Sequence, residues 1–334
     1  MEFRRATHLT ALRTQSFDLL VVGGGITGLG VALDAAARGL SVALVERDDF
    51  ASGTSSKSSK LIHGGLRYLQ QGEVRLVYEA LHERQRLKRN APHLVSMLPF
   101  MLPILTKDGL VSRKIARALG SALWMYDVTG GARIGRVHRR LRKKNALAHM
   151  PTMPSERLAS AYVYYDAQAD DARLCLEIAL TAIDHGAVAL NRCAVVDIMK
   201  DDRGKATGAR VACDGREFDV SAKVIVNAAG AWGDTVAGLC GVPPLGLEPR
   251  RRTAFTFDPG FDATGVPPID EMGSGFYFKS SGPVLMVSPG DQTPSVPCDA
   301  QPEEYDLAVA VDQLETLTTL KVGRMKARSE EHTS

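Results

Sequence analysis

The sequence has no C-x-x-C pair and no histidine and cysteine cluster at zinc spacing; its five cysteines, Cys175, Cys193, Cys213, Cys240 and Cys298, are scattered. That pattern excludes a metal knuckle or a disulfide framework, so no metal is expected and a reducing compartment is the expected home. Apolar runs of about twenty residues are also missing, and nothing is expected to span a bilayer. The opening stretch MEFRRATHLTALRTQS is basic but lacks the apolar core of a secretory signal, which leaves a cytoplasmic or organelle-transit reading open. Charge of one sign is not in large excess: the net value is +3, and no recognised nucleic-acid module accompanies it, so nucleic acid is not an expected partner.

What is present is 334 residues, 45% of them hydrophobic, enough for a large core and a length that favours two domains. The charge is unevenly spread. Between Lys107 and Lys144 stand Arg113, Lys114, Arg117, Arg133, Arg136, Arg139, Arg140, Arg142 and Lys143 against only Asp108 and Asp127, interleaved with Leu119, Leu123, Trp124, Met125 and Tyr126. Two readings stay open: a peripheral helix lying on anionic lipid, or a solvated basic face around ordinary core residues.

The strongest signal is FDLLVVGGGITGLGVALDAAARGLSVALVER. It reads as a strand (Asp18 to Val22), a glycine turn, a helix from about Thr27 to Arg38, and a second strand (Ser41 to Glu46). Gly23, Gly25 and Gly28 form G-x-G-x-x-G: the first permits the tight turn, the second lets backbone approach a pyrophosphate, and the third lets helix pack on strand. Ile26 and Thr27 open the helix, whose N–H groups and positive dipole end suit phosphates. Glu46 closes the second strand 18 positions after Gly28, placed to accept hydrogen bonds from a ribose diol, with Arg47 beside it. No third strand of the unit follows directly. Instead the chain enters RDDFASGTSSKSSKLIHGGLRYLQQ, a hydroxyl-rich segment with two glycines suited to lie along a pyrophosphate and a flat ring, which points to a flavin.

TSSKSSKLIHGGLRYL, with the glycine turn and Glu46 ahead of it, closely resembles the quinone-linked, FAD-dependent glycerol-3-phosphate dehydrogenases of the D-amino-acid-oxidase-like superfamily. The resemblance continues through VYEALHERQRLKRNAPHL, LPFMLPI, MYD and YYDAQADDARLCLEIALTAIDHGA, over roughly residues 17 to 190. It implies an α/β flavoprotein: a Rossmann-type FAD-binding domain with an interleaved antiparallel-sheet cap domain. It places Thr54, Ser55, Ser56, Ser59, His63, Gly64, Gly65 and Leu66 on the flavin side, and Arg67 and Tyr68 on the substrate side of the ring. His63, Arg67 and Tyr68 are the catalytic candidates; His63 is the nearest titratable candidate for the base, though a packing histidine or a covalent flavin link would also account for it. Val195, Ala229, Gly230 and Trp232 are expected beside the cofactor where the chain re-enters the sheet. The implied reaction passes hydride from the carbinol of glycerol 3-phosphate to flavin N5, with a quinone as final acceptor and a peripheral position on the inner face of the cytoplasmic membrane.

Further expectations concern the rest of the chain. AVVDIMKDDRGKATGARVACDGREFDVSAKVIVNAAGAW reads as three strands followed by an apolar one, with Lys223 to Asn227 buried. From about residue 225 the sequence looks more like the amine and amino-acid oxidase branch, with RRRTAF where the dehydrogenases carry a Lys-Gly-Ser-His element. Arg250, Arg252 and Lys279 are candidate ligands for a phosphate or carboxylate, although strand alternation lets either Arg250 with Arg252, or Arg251 alone, face inward. The expected division is 17–95 and 166–245 for the FAD domain, 96–165 and 246–320 for the cap, and 321–334, ending RSEEHTS, as a disordered or artefactual tail. No glycine-rich closing segment follows VDQLETLTTLKVGRM, so the chain is expected to be incomplete, and an inactive fragment stands as a reading beside dehydrogenase and oxidase.

Overall fold

The computed structural model describes residues 3–66, 68, 72–105, 113–129, 135–270 and 275–333. Along the chain, α1 (Arg5–Thr14) precedes β1 (Ser16–Val22), α2 (Ile26–Ala37) and β2 (Val42–Val45). The hydroxyl-rich segment forms the short α3 (Thr54–Lys57) and β3 (Leu61–Ile62). Then come α4 (Val74–Asn90), β4 (Ser96–Leu105), α5 (Arg113–Thr129), β5 (Arg139–Arg142), α6 (Lys143–His149) and β6 (Leu158–Gln168). Next are α7 (Asp171–Asp184), β7 (Val188–Leu190), β8 (Cys193–Lys200), β9 (Ala206–Cys213), β10 (Arg216–Asn227) and α8 (Gly233–Leu239). The remainder holds β11 (Arg250–Phe257), β12 (Ile269–Asp270), β13 (Tyr277–Ser281), β14 (Val284–Ser288), β15 (Thr293–Pro294), α9 (Glu304–Leu317) and β16 (Met325–Thr333).

Two sheets result. The smaller runs β7-β2-β1-β10-β9-β8, with β7, β2, β1 and β10 parallel. Its third parallel neighbour, β7, comes from far along the chain, after the whole first excursion into the second sheet. The four residues of β2 are all buried, because α2 and α7 cover one face and the α1 side covers the other. The alanines of α2 (Ala32, Ala35, Ala36) let it meet Ala179 and Ala182 of α7 closely. Asp170 caps α7 by accepting the Arg173 N–H at 3.1 Å. The basic opening segment forms α1, seated by buried His8 and Leu12, with Arg5 bonded to Asn191 and Asp214.

Two expectations about the return to this sheet are corrected. The third strand and the apolar strand are one continuous β10, and its Lys223–Asn227 end is not buried, Val224 being 54% exposed. Pairing with β1 and β9 satisfies the backbone of β10, but burial of its side chains requires a layer over each face.

The larger sheet runs β15-β11-β14-β13-β12-β4-β6-β3, with β16 added to β11 and β5 to β6. Its register sorts residues onto two faces. Phe255, Val287, Phe278, Ile269, Met101 and Val163 are aligned across successive strands and share one core with α9. Their sequence neighbours Thr256, Met286 and Lys279, and Phe100 paired with Tyr164, therefore occupy the opposite face. β6 belongs wholly to this sheet and crosses the division expected at 165/166. The tail expected to be structureless is β16, antiparallel to β11 from Arg250↔Thr333 to Phe257↔Met325. Backbone pairing makes no demand on side-chain polarity at a sheet edge, so a polar strand forms without an apolar pattern.

Candidate cofactor and active site

The carboxyl ends of β10, β1, β2 and β7 come together, the edge at which open α/β sheets bind ligands. Backbone bonds lace them: Ala228 N to Val22 O, Gly23 N to Val45 O and Glu46 N to Leu190 O, each at 2.9 Å. Gly23 has φ +113°, and a Cβ there would lie 2.4 Å from Ala228 O; one on Gly28 would lie 2.0 Å from Gly23 O. These two glycines are required by close packing of turn, helix and strand. The middle glycine, Gly24, was not singled out from sequence. A Cβ on it would strike the Glu46 side chain, and its N–H donates to Glu46 Oε2 at 2.6 Å.

Glu46 Oε1 accepts the Asp48 N–H at 2.8 Å. Each carboxylate oxygen thus holds one backbone donor and retains lone-pair capacity for a ribose hydroxyl. Cys193 N donates to Glu46 O, bringing the start of β8 here, with Val195 two residues on and partly packed into the core. Arg47 lies over the Trp232 ring at 4.7 Å, and Gly230 takes φ +54° in the turn before it. The α2 N-terminus carries no side-chain cap at Gly25, leaving Ile26 and Thr27 exposed.

The hydroxyl-rich segment forms the adjoining wall. Ser55 Oγ accepts the Ile26 N–H at 3.0 Å, which joins that segment to the glycine turn. Ser56 folds back on Gly53 O, and Thr54 opens α3. Ser58 and Lys60 both bond Asp171 at the start of α7, while Ser59 between them is half-buried. Lys57 reaches Asp299 of the second sheet's loops at 2.6 Å.

Then come His63, Gly64, Gly65, Leu66 and Tyr68. His63 is half-exposed, its ring 5.7 Å from that of Phe100. Gly64 sits against the larger sheet's second face: a Cβ would be 2.0 Å from Tyr126 Oη and 2.2 Å from Leu81 Cδ2. Gly65 has φ +79° with the Tyr68 ring close by, and Leu66 is buried. Tyr68 is 44% exposed. Arg67 lies outside the described residues.

Beneath Gly64 is a charged cluster that sequence reading did not single out. Asp166 and Arg84 are both fully buried and form an ion pair. Asp166 Oδ1 also accepts the Tyr126 O–H at 2.7 Å and the Gly64 N–H at 2.9 Å. Burial, then the Asp166 charge, push the Tyr126 phenol well above its ordinary value, so it stays a donor. Periodicity held a signal for Arg84: Val77, Leu81 and Arg84 fall on the buried stripe of α4, where an arginine is out of place unless paired.

The arginine alternatives on β11 are resolved by register. Arg251 shares the face of Phe255 and pairs with Glu303 of the α9 N-cap, whereas Arg252 shares the face of Thr256 and Lys279. Arg250, on the Arg252 face, pairs with Glu248 at 2.6 Å. Lys279 is 5% exposed, and burial, followed by the charge of Lys60, lowers its pKa. The Asp171 carboxylate acts in the opposite sense, raising it.

A glycine turn at parallel strand ends, a ribose-ready carboxylate and an adjoining hydroxyl-rich wall define a dinucleotide-binding flavoprotein. Residues 18–320 match the FAD dependent oxidoreductase family, and the chain belongs to it. FAD is that family's cofactor, and the glycine turn at the α2 N-terminus with Glu46 fits it. Among curated relatives, the mitochondrial glycerol-3-phosphate dehydrogenase of Mus musculus is 46% identical over 247 residues, 70% of this chain and 33% of that protein. The probable mitochondrial glycerol-3-phosphate dehydrogenase of Caenorhabditis elegans is 39% identical across 90% of this chain and 43% of its own length, which carries the likeness past residue 225. The chain thus spans a third to under half of these relatives. The solved glycerol-3-phosphate dehydrogenase of Bacillus halodurans, complexed with FAD, superposes at TM-score 0.72 with 25% identity, over 98% of this chain and 59% of that one. L-proline dehydrogenase from P. horikoshii, 15% identical, shares the fold at TM-score 0.75 over 95% of this chain and 81% of its own.

Proposed function

We propose that this chain contributes the FAD site and much of the substrate site of a dehydrogenase acting on sn-glycerol 3-phosphate, giving dihydroxyacetone phosphate. The observation that carries the reading is Lys279, a buried cation on the sheet face that also presents Phe100 to the His63 ring. An anionic head group is the partner such a cation requires. Arg252 shares its face, and Arg67 is assigned to the same anion from its place beside the flavin-side segment.

When bound, FAD supplies the hydride acceptor; the chain's residues supply position and charge. Glu46 and the α2 N-terminus hold the adenosine and pyrophosphate, and Ser55, Ser56 and Ser59 line the path to the ring. Val195, Ala229, Gly230 and Trp232 close the adenosine side. Lys279 and Arg252 anchor the phosphate, Tyr68 lies along the substrate side, and His63 takes the proton of the reacting hydroxyl.

A quinone is proposed as final acceptor, reached from a membrane surface. Exposed Trp124, Met125 and Val128 on α5, near exposed Arg139, Arg140, Arg142, Lys143 and Lys144, support a peripheral contact with anionic lipid. No helix among the described residues is long and apolar enough to cross a membrane.

The test is anaerobic bleaching of the purified, yellow protein by a substrate panel. Glycerol 3-phosphate should bleach it. Bleaching by an amino acid instead would move the assignment to the oxidase branch, where Lys279 and Arg252 would hold a carboxylate; a colourless protein would leave the inactive fragment.

A further inference from the structure

Asp166 is completely buried, and the chemistry proposed so far gives it no task. Its two oxygens are treated unequally. Oδ1 is crowded, accepting from Gly64 N–H, Tyr126 O–H and the Arg84 guanidinium. Oδ2 is just as deep, has no hydrogen-bond partner, and lies 3.6 Å from Nδ1 of His63. A buried carboxylate oxygen left without a donor costs about 1–3 kcal/mol, so its retention beside an imidazole calls for a reason.

The surroundings fix the carboxylate, not the ring. As the ion-pair partner of the Arg84 guanidinium, the Asp166 carboxylate serves as an acceptor. The Gly64 N–H and the Tyr126 phenol clamp Oδ1, so Oδ2 can aim in only one direction. His63, half-exposed one residue before the Gly64–Gly65 turn, is free to rotate by the small amount that turns 3.6 Å into a hydrogen bond. Contacts of this kind are commonly long before substrate enters. An acceptor-only partner at Nδ1 obliges that nitrogen to carry the proton, which leaves the lone pair on Nε2, the nitrogen turned away from Asp166.

We propose that Asp166 is a positioning residue that holds His63 in the Nδ1–H tautomer, so that Nε2 faces the substrate hydroxyl as the base. This rests on the reading of His63 given above. In the step it serves, the substrate O–H bond breaks, its proton goes to Nε2, and the electron pair stays on oxygen to form the carbonyl. Bound FAD would supply the acceptor for the carbinol hydrogen as hydride, which balances the step. The resulting imidazolium keeps Asp166 as the acceptor at its Nδ1–H and shares that one negative charge with Arg84.

Histidine-selective ¹⁵N spectra of the full-length, FAD-loaded protein test this, at a pH where the ring is neutral, with His63→Gln identifying the His63 signals. The expected spectrum is Nδ1 protonated and Nε2 bare. In Asp166→Asn the balance should move toward the Nε2–H form, and flavin reduction by glycerol 3-phosphate should slow about 10- to 100-fold with KM little changed. A wild-type His63 in the Nε2–H form overturns the proposal without requiring any variant to fold, as does an unchanged spectrum in Asp166→Asn. Failure of glycerol 3-phosphate to reduce the flavin while the tautomer follows Asp166 would remove the substrate assignment and leave this inference standing.

Discussion

The two walls of the cleft are made of different materials. At the smaller sheet, the groups proposed to meet the ligand are mostly backbone: the α2 N-terminus, the Gly23–Gly25 turn and the strand ends, with Glu46 as the charged member. At the larger sheet the notable polar groups are buried side chains, Asp166 and Arg84 paired with each other and Lys279, whose charges cost desolvation unless they are paired or used. A backbone wall fails when a side chain is added; a side-chain wall fails when one is removed. The following substitutions separate the two modes of failure.

The largest effect is expected on the backbone wall. Gly23→Ala would combine a φ of +113° with a Cβ 2.4 Å from Ala228 O, and Gly28→Ala would drive a Cβ into Gly23 O. Strain and overpacking each cost about 1–3 kcal/mol, and the neighbour in both cases is backbone that cannot yield. Loss of bound flavin absorbance, with a lowered melting temperature, is the expected outcome. Retention of stoichiometric FAD in Gly28→Ala would detach this turn from the cofactor.

Next is Arg84→Met, which leaves the Asp166 carboxylate without its countercharge and should destabilise the fold by about 3–5 kcal/mol in denaturant titration. Arg84→Met combined with Asp166→Leu should recover much of that loss, because the orphaned charge goes too. A double variant no more stable than the single one would mean that the pair contributes through packing rather than charge.

These contrasts also explain what was legible in the sequence. The glycine turn, Glu46 and the hydroxyl-rich segment are local, spelled out by strand, turn and helix within a short span, and the structure brings them together. The Arg84–Tyr126–Asp166 cluster is not local: Tyr126 and Asp166 are 40 positions apart, and Arg84 and Asp166 are 82. Only the packing of α4 and α5 on the β6 face that carries Tyr162, Tyr164 and Asp166 gathers them. The same parity separates Arg251 from Arg252, a choice that alternation alone left open. β16 was missed for another reason, since MKARSEEHT has no apolar period and its pairing is made by backbone.

Lys279 gives a smaller effect of opposite sign. Burial depresses its pKa, so the unfolded chain holds that proton to higher pH than the folded one, and stability rises as pH climbs through the depressed value toward 10.5. Lys279→Met should therefore raise stability near neutral pH by about 0.5–2 kcal/mol, a gain that fades toward pH 10.5, while weakening retention of an anionic substrate. A variant both less stable and equally able to bind glycerol 3-phosphate would show the ammonium to be a structural group.

The smallest effect sets the two ends of the smaller sheet against each other. Asp18 stands at the amino end of β1, opposite the end that carries Glu46. A bond from Lys223, then the backbone N–H and hydroxyl of Ser41, hold its pKa down to about 2. Its partners belong to β10 and to the start of β2, so it ties three neighbouring strands together at their entry. A depressed carboxylate stabilises the fold above its ordinary value of 3.8 and loses that contribution as pH falls through about 2. Asp18→Asn should therefore lower the melting temperature slightly at pH 5 to 7, the deficit shrinking as the pH is brought down toward 2 and on addition of salt, because the pair is at the surface. FAD affinity should not move, whereas Glu46→Gln should weaken it with little change in melting temperature. If the two variants exchanged these behaviours, the ligand would belong at the amino end of the sheet, and the division of labour between its ends would be reversed.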